Sequence, residues 1–316
     1  MLQLTIIIPH FNDTASLSEL LDTIPVSADI QTIVIDDQSD LSHQEKLMKL
    51  HQTKNFELYH NSSGKKGAGT CRNIGLKNAK GKWLLFADAD DYFINGFYET
   101  VQRYFESEVD VVYFRPTSII ADTGEVSSRH IPFAKLISDA GSTVNSKKSE
   151  LSLRYKFIVP WSKLMRRAFV NKYSIDFDDV IAANDVMFAT KAGWYLNAYD
   201  ISEEVIYCAT TNKGSLTMTI NDTVFDVRLN VFIRQYQFLR KRLSKADFKL
   251  LGLSGRPLLI KAVDIGWKKP ISVFLKLKYH RVRILEAKLL NPVRFVEKTM
   301  VILRKRRRER PYYINK

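Results

Sequence analysis

Leu4-Thr5-Ile6-Ile7-Ile8 is a continuous apolar run, rich in branched residues, that stops at Pro9. That pattern predicts a strand covered on both faces in a parallel sheet. Thr32-Ile33-Val34-Ile35-Asp36, Phe56-Glu57-Leu58-Tyr59, Trp83 to Phe86 and Asp110 to Phe114 are further short strand-like runs. Helical stretches fall between the earlier ones, from Ser16 to Leu21, from Ser42 to about Lys49 and from Thr70 to Asn78, the last closed by Lys80-Gly81. Strand, helix, strand, helix in this order predicts an open, mostly parallel α/β sheet.

The second half is less regular. Residues 115 to 147, rich in Ser, Thr and Gly, read as hairpin strands or a mobile loop. Leu151 to Ile158 and Pro160-Trp161-Ser162-Lys163-Leu164 lead to a short helix or turn at Met165 to Val170. Asp185 to Ala192 has helical spacing and Val205 to Ala209 reads as a strand. Val224, Val227, Val231, Phe232, Tyr236 and Leu239 make the apolar stripe of an amphipathic helix.

Charge separates the chain into two regions. Of a net +14, residues 241 to 316 carry 22 Lys+Arg against 5 Asp+Glu, or +17, which leaves residues 1 to 240 at −3. The expected organisation is therefore an α/β domain over 1–220, with halves 1–110 and 111–220, and a helical, strongly basic region over 221–316. Cys71 and Cys208 make no disulfide framework or metal cluster and read as small buried apolar residues in a reducing compartment. The N-terminus enters a strand directly, without a basic segment or an 18-residue apolar run, so a cytoplasmic chain is expected.

The candidate chemistry gathers at strand ends. Asp88, Asp90 and Asp91 follow the strand Trp83 to Phe86, and side chains two apart on extended backbone point the same way. Carboxylates so close repel unless a cation or donors offset them, which suits Mg²⁺ or Mn²⁺ shared with a diphosphate. An acidic turn or helix cap is the alternative. Pro9-His10-Phe11-Asn12 and Asp36-Asp37 end two other strands, and ligands of doubly wound sheets lie beyond such ends. The loop Asn61 to Thr70 has a phosphate-side composition without a GxxxxGK[ST] or GxGxxG spacing, and reads equally as a surface loop. Arg72 either braces the acidic cluster, meets a carboxylate from the nucleotide side, or is a surface arginine. Asn184-Asp185 opens an apolar helical run, as an N-cap or with Asp185 as a general base for a hydroxyl.

Four blocks in order carry a resemblance: Ile6-Ile7-Ile8-Pro9-His10-Phe11-Asn12, Val34-Ile35-Asp36-Asp37-Gln38-Ser39-Asp40, Gly69-Thr70-Cys71-Arg72-Asn73-Ile74-Gly75, and Phe86-Ala87-Asp88-Ala89-Asp90-Asp91. Through residues 3 to 110 the chain resembles family 2 of the nucleotide-sugar glycosyltransferases, inverting enzymes of the GT-A fold. Trp161-Ser162-Lys163-Leu164 resembles a segment of bacterial capsule and cell-surface polysaccharide transferases. The resemblance implies a hexosyl- or N-acetylhexosaminyltransferase using a UDP-sugar. Pro9, Phe11 and Asp37 would line the base pocket, Asp88 would approach the ribose or donor sugar, and Asp90 would be the protein ligand of Mn²⁺ or Mg²⁺. Asp185 would be the catalytic base, with Asn184 where the family usually has Glu. Arg72 would serve the donor side, and Lys213 in Asn212 to Thr217 would contact the diphosphate.

Residues 241 to 316 alternate basic and apolar groups and finish in Arg304-Lys305-Arg306-Arg307-Arg308-Glu309-Arg310. Such a region can hold an enzyme peripherally at an anionic membrane, here the inner face, where it would meet a lipid-linked saccharide acceptor. Nonspecific nucleic-acid binding and a helical extension packing on protein or forming a homo-oligomer contact are the competing accounts. A sugar-nucleotide nucleotidyltransferase is disfavoured, because the interval after the first strand lacks its Gly-rich, basic signature. A noncatalytic carbohydrate-binding protein is the remaining class.

Overall fold

The computed structural model describes residues 2–142, 146–211 and 221–284. Lys213 with its loop, and the Arg-rich run from Arg304, lie outside the described residues. The strands are β1 (Leu4–His10), β2 (Ile30–Asp36), β3 (Glu57–His60), β4 (Trp83–Phe86), β5 (Tyr92–Phe93), β6 (Val111–Ile120), β7 (Lys163–Arg166) and β8 (Tyr199–Thr211). The helices of the first half are α1 (Thr14–Asp22), α2 (Leu41–Thr53), α3 (Ala68–Asn78) and α4 (Phe97–Gln102). Those that follow are α5 (Ile131–Gly141), α6 (Lys147–Lys156), α7 (Arg167–Lys172), α8 (Asp185–Tyr195), α9 (Asp222–Arg242), α10 (Lys245–Leu251), α11 (Arg256–Ala262) and α12 (Lys269–Tyr279).

The strands form one sheet in the order β3-β2-β1-β4-β7-β6-β8-β5. β1 to β4 are parallel neighbours, β6 pairs parallel with β8, and β7 and β5 run against their neighbours. The alternation of strand side chains sorts the apolar runs onto two faces. Ile6, Ile8, Val34, Leu85 and Val112 join one core with Leu17, Phe97 and Trp161. Ile7, Ile33, Ile35, Leu84, Phe86 and Val111 join the other with Cys71, Phe177 and Phe188. Both cores being closed explains why these strands show no polar alternation. A Cβ at Gly75 would lie 2.4 Å from Ile7 Cγ2, so this residue lets α3 sit directly on β1.

One expectation changes. Residues 115 to 147 hold the end of β6, an isolated antiparallel bridge between Ile119 and Val126, and the helix α5, whose Ala134, Ile137 and Ala140 are buried. The chain divides into compact units Met1–Leu251 and Gly252–Lys316, with α9 and α10 in the first. Val231 of α9 packs with Val186 and Met187 of α8, and buried Gln235 donates to Tyr155 O at 3.1 Å and Thr190 Oγ1 at 3.0 Å. Losing that seat would expose the apolar stripe of α9.

Candidate active site

The carboxyl ends of β1, β2 and β4 converge, as parallel strands with crossover helices require. His10 Nδ1 and Asp36 Oδ1 stand 3.2 Å apart, both side chains fully buried, and the Ser39 amide donates to Asp36 Oδ2 at 3.2 Å. Burial alone would raise the Asp36 carboxyl, but the His10 and Ser39 hydrogen bonds prevail and bring it down to about 2. Asp36 is thus a fixed anion that ties two strand ends together.

Asp37 is buried and accepts from Asn61 Nδ2 at 2.7 Å and from the Gly67 amide at 2.7 Å. It therefore staples the Gly-rich loop to β2, so the loop is held and not merely a surface excursion. Asp179 holds the loop from the other side, accepting from Lys65 Nζ at 2.8 Å and from Thr70 Oγ1 at 3.2 Å. Pro9 is half-buried beside Ile35, while Phe11 is 45% exposed with Lys66 Nζ 3.7 Å above its ring.

Arg72 takes the bracing role. It is buried, donates through Nη1 to Asn184 Oδ1 at 2.9 Å and pairs through Nη2 with Asp88 Oδ1. Asn184 occupies the N-cap position of α8 but makes no side-chain cap bond. Its amide oxygen goes to Arg72 instead, which corrects the simple capping account. A Cβ at Gly69 would lie 2.3 Å from Asp178 O and 2.8 Å from Asn184 Cβ. Glycine there admits the loop that delivers Asp185 to the same place as Asp88.

The acidic turn has a dense back wall. Asp91 is fully buried and accepts from Tyr207 Oη at 2.7 Å and from the Thr210 amide at 2.7 Å. Burial and the neighbouring Asp88 push its carboxyl well above the usual range. Asp91 is therefore committed to β8. Asp88 and Asp90 keep partial solvent access. Burial and repulsion from Asp88 raise the Asp90 carboxyl as well. Arg129 lies 3.8 Å from Asp88 Oδ2 and 3.6 Å from Asp91 Oδ1, against the face of Trp161.

Asp185, the first residue of α8, is half-buried. Withdrawal from bulk water raises its carboxyl, Asp88 adds to the rise, and Arg72 and Lys163 oppose it. Lys163 is itself buried on β7, donating to Phe157 O at 2.5 Å with its ammonium 4.9 Å from the Phe157 ring centroid. Burial lowers it to about 7 despite the attraction of Asp185.

Of the residues expected at the site, Arg72, Asp88, Asp90 and Asp185 act directly on one another, while Asp37 holds the Gly-rich loop and Pro9 and Phe11 stand at the end of β1 and just beyond it. Arg129 and Tyr207 were not read from the sequence. A lone arginine between Ser128 and His130, and a tyrosine inside an apolar strand, carry no local signal.

The glycosyl transferase family 2 model matches residues 5–173, which is 169 of 316 and more than half of the chain. The chain belongs to this family, and its mixed eight-stranded sheet is that of a GT-A fold. It is 25% identical over 223 residues to the poly(ribitol-phosphate) beta-N-acetylglucosaminyltransferase TarS of Staphylococcus aureus, covering 68% of this chain and 36% of that protein. It is 26% identical over 217 residues to the poly(ribitol-phosphate) beta-glucosyltransferase of Bacillus spizizenii, covering 65% and 31%. The chain thus spans about a third of the length of these curated relatives. The structure of S. aureus TarS 1–349 in complex with UDP-GlcNAc is similar with a TM-score of 0.63 at 20% identity, over 88% of this chain and 77% of that one. The mannosyltransferase PcManGT from Pyrobaculum calidifontis, in complex with GDP-Man and Mn²⁺, gives 0.54 at 14% identity over 87% and 79%. Among the described residues no helix is long and apolar enough to cross a membrane.

Proposed function

We propose that this chain is an inverting glycosyltransferase that moves a sugar from a nucleotide-sugar, a UDP-sugar by the likeness to the TarS complexes, to a hydroxyl of a surface-polymer saccharide carried on lipid. The observation that carries the reading is the Arg72 bridge between Asp88 and Asn184. It joins the strand-end carboxylates to the start of α8 and leaves Asp185 beside them. Pro9 and Phe11 offer an apolar edge for the base, with Asp37 holding the loop that would face it. Asp88 approaches the ribose or sugar.

Asp90 fits a hard divalent cation, Mn²⁺ or Mg²⁺: it is an oxygen donor whose carboxyl is raised by burial and by repulsion from Asp88, and a bound cation would relieve that repulsion. Among the described residues no group of three His, Cys, Asp or Glu side chains is placed to hold a metal. Bound at Asp90, the ion would offset the charge gathering on the departing nucleoside diphosphate. Lys213, outside the described residues, would add a positive contact. Asp185 takes the acceptor hydroxyl proton as that oxygen attacks the anomeric carbon from the face opposite the leaving group, so one displacement inverts that carbon. Arg72 and Asn184 keep the base aligned, and the buried Asp91 keeps the acidic turn in place. The basic C-terminal region gives peripheral contact with the anionic inner face of a membrane, where a lipid-linked acceptor would be found.

The test is titration of UDP and a panel of UDP-sugars with and without Mn²⁺, followed by donor hydrolysis or transfer. Metal-dependent UDP binding that Asp90→Asn abolishes, with turnover of one donor, is expected. Glycan binding without metal-dependent UDP binding or turnover would make the chain a noncatalytic carbohydrate-binding protein.

A further inference from the structure

Within the second unit, α12 buries Val273 and Leu277 on its inner side, and Leu277 reaches the position that a Cβ on Gly255 would fill. Its other side is also apolar. Ile271, Phe274, Leu275 and Tyr279 recur at the spacing of one helical face, and Trp267 stands one turn before Ile271. Trp267 is 77% exposed, Leu275 59% and Tyr279 83%. Single exposed apolar residues are ordinary, whereas a stripe of five marks an interaction surface.

Its charge decides between partners. From Gly252 to Ile284 the chain has eight Lys+Arg against one acidic residue, Asp264. Exposed Lys268 and Lys278 stand within or beside the stripe. Protein interfaces are depleted of lysine at their centre, while helices lying in a lipid interface combine lysine with large apolar side chains. Trp and Tyr at the two ends of the stripe are the residues that prefer headgroup level.

We infer that the α12 face made by Ile271, Phe274 and Leu275, together with Trp267 in the turn before it and with Lys268 and Lys278 beside it, seats on an anionic lipid surface. This rests on the peripheral membrane contact proposed above and names the surface that makes it. The full chain is floated with vesicles of phosphatidylcholine alone or mixed with phosphatidylglycerol, while tryptophan emission is followed. Co-flotation with the anionic vesicles, a blue shift as exposed Trp267 leaves water, and loss of both at high salt are expected. Trp267→Ser, Ile271→Ser and Leu275→Ser together should weaken vesicle binding about tenfold or more, from the lost apolar burial, with UDP affinity unchanged. Lys268→Gln with Lys278→Gln should weaken it selectively on anionic vesicles. Wild-type protein that ignores both vesicle types sinks the membrane reading itself. Undiminished binding of the triple variant sinks this face alone. A shift from dimer to monomer in the triple variant, without vesicle binding by the wild type, would assign the face to a second copy.

Discussion

Tyr207 Oη donates to Asp91 Oδ2 at 2.7 Å and accepts from the Asp88 amide at 2.9 Å. One side chain from β8 therefore holds both ends of the acidic turn. Tyr207→Phe would leave a buried carboxylate and a backbone amide short of a partner each. The expected loss is roughly 1–3 kcal/mol of stability, read by chemical denaturation. Weaker metal-dependent UDP binding should accompany it, because Asp88 and Asp90 lie on the turn that loosens.

Asp185→Asn should lower turnover by about 10² to 10⁴, the usual reach of a general base, while UDP affinity holds. Burial raises its carboxyl above the ordinary aspartate value, and a carboxylate acts as a base only when ionised. Activity should thus be present on the alkaline side and fade as pH falls through that raised value, earlier than an ordinary carboxylate would allow. A pH profile of kcat/KM checks this. Unchanged turnover in the variant would remove Asp185 from the mechanism.

Arg72 spends one nitrogen on Asn184, the residue before Asp185. Asn184→Asp keeps the size and adds a negative charge beside Asp185. Like charges favour the protonated acid, so the acid limb of the profile should move to higher pH. The ion pair gained with Arg72 should meanwhile leave folding stability near wild type. A profile that does not move would show that Asn184 is too far screened to tune the base.

Lys163 is buried, and its ammonium is lowered from 10.5 to about 7. Below pH 7 it is charged in both folded and unfolded chains. Between 7 and 10.5 the unfolded chain holds more protons, so stability contributed by this site rises with pH by at most about 1.4 kcal/mol per unit. Comparison with Lys163→Met by denaturation at pH 6.5, 8 and 9.5, values chosen to bracket that window, isolates the effect. The difference should move in favour of the wild type as pH increases. A flat difference would mean that the ammonium is better compensated than its burial suggests.

β1, β2 and β4 were readable because each is buried on both faces, and continuous branched runs such as Ile6-Ile7-Ile8 have few other uses. Asp36-Asp37 and Asp88 to Asp91 were readable for the same reason, since carboxylates immediately after such runs fall at one edge of the sheet. α5 escaped because its Ser- and Gly-rich surroundings hid a short apolar stripe of Ala134, Ile137 and Ala140. β7 escaped because a four-residue strand between longer neighbours shows no period of its own. An amphipathic helix such as α9 does not reveal from its sequence which partner covers it.

By itself the chain's order of residues determined the strand runs, the acidic strand ends and the asymmetry of charge, because local burial and electrostatics act on neighbours in sequence. Tertiary structure decided which carboxylates are engaged and which face the cleft. Arg72 meets Asn184 across 112 positions, Tyr207 meets Asp91 across 116, and Lys163 is enclosed beside Phe157. Those pairings depend on which elements the sheet brings together, and a side chain's ionisation follows from the water and charges that the packed chain leaves around it.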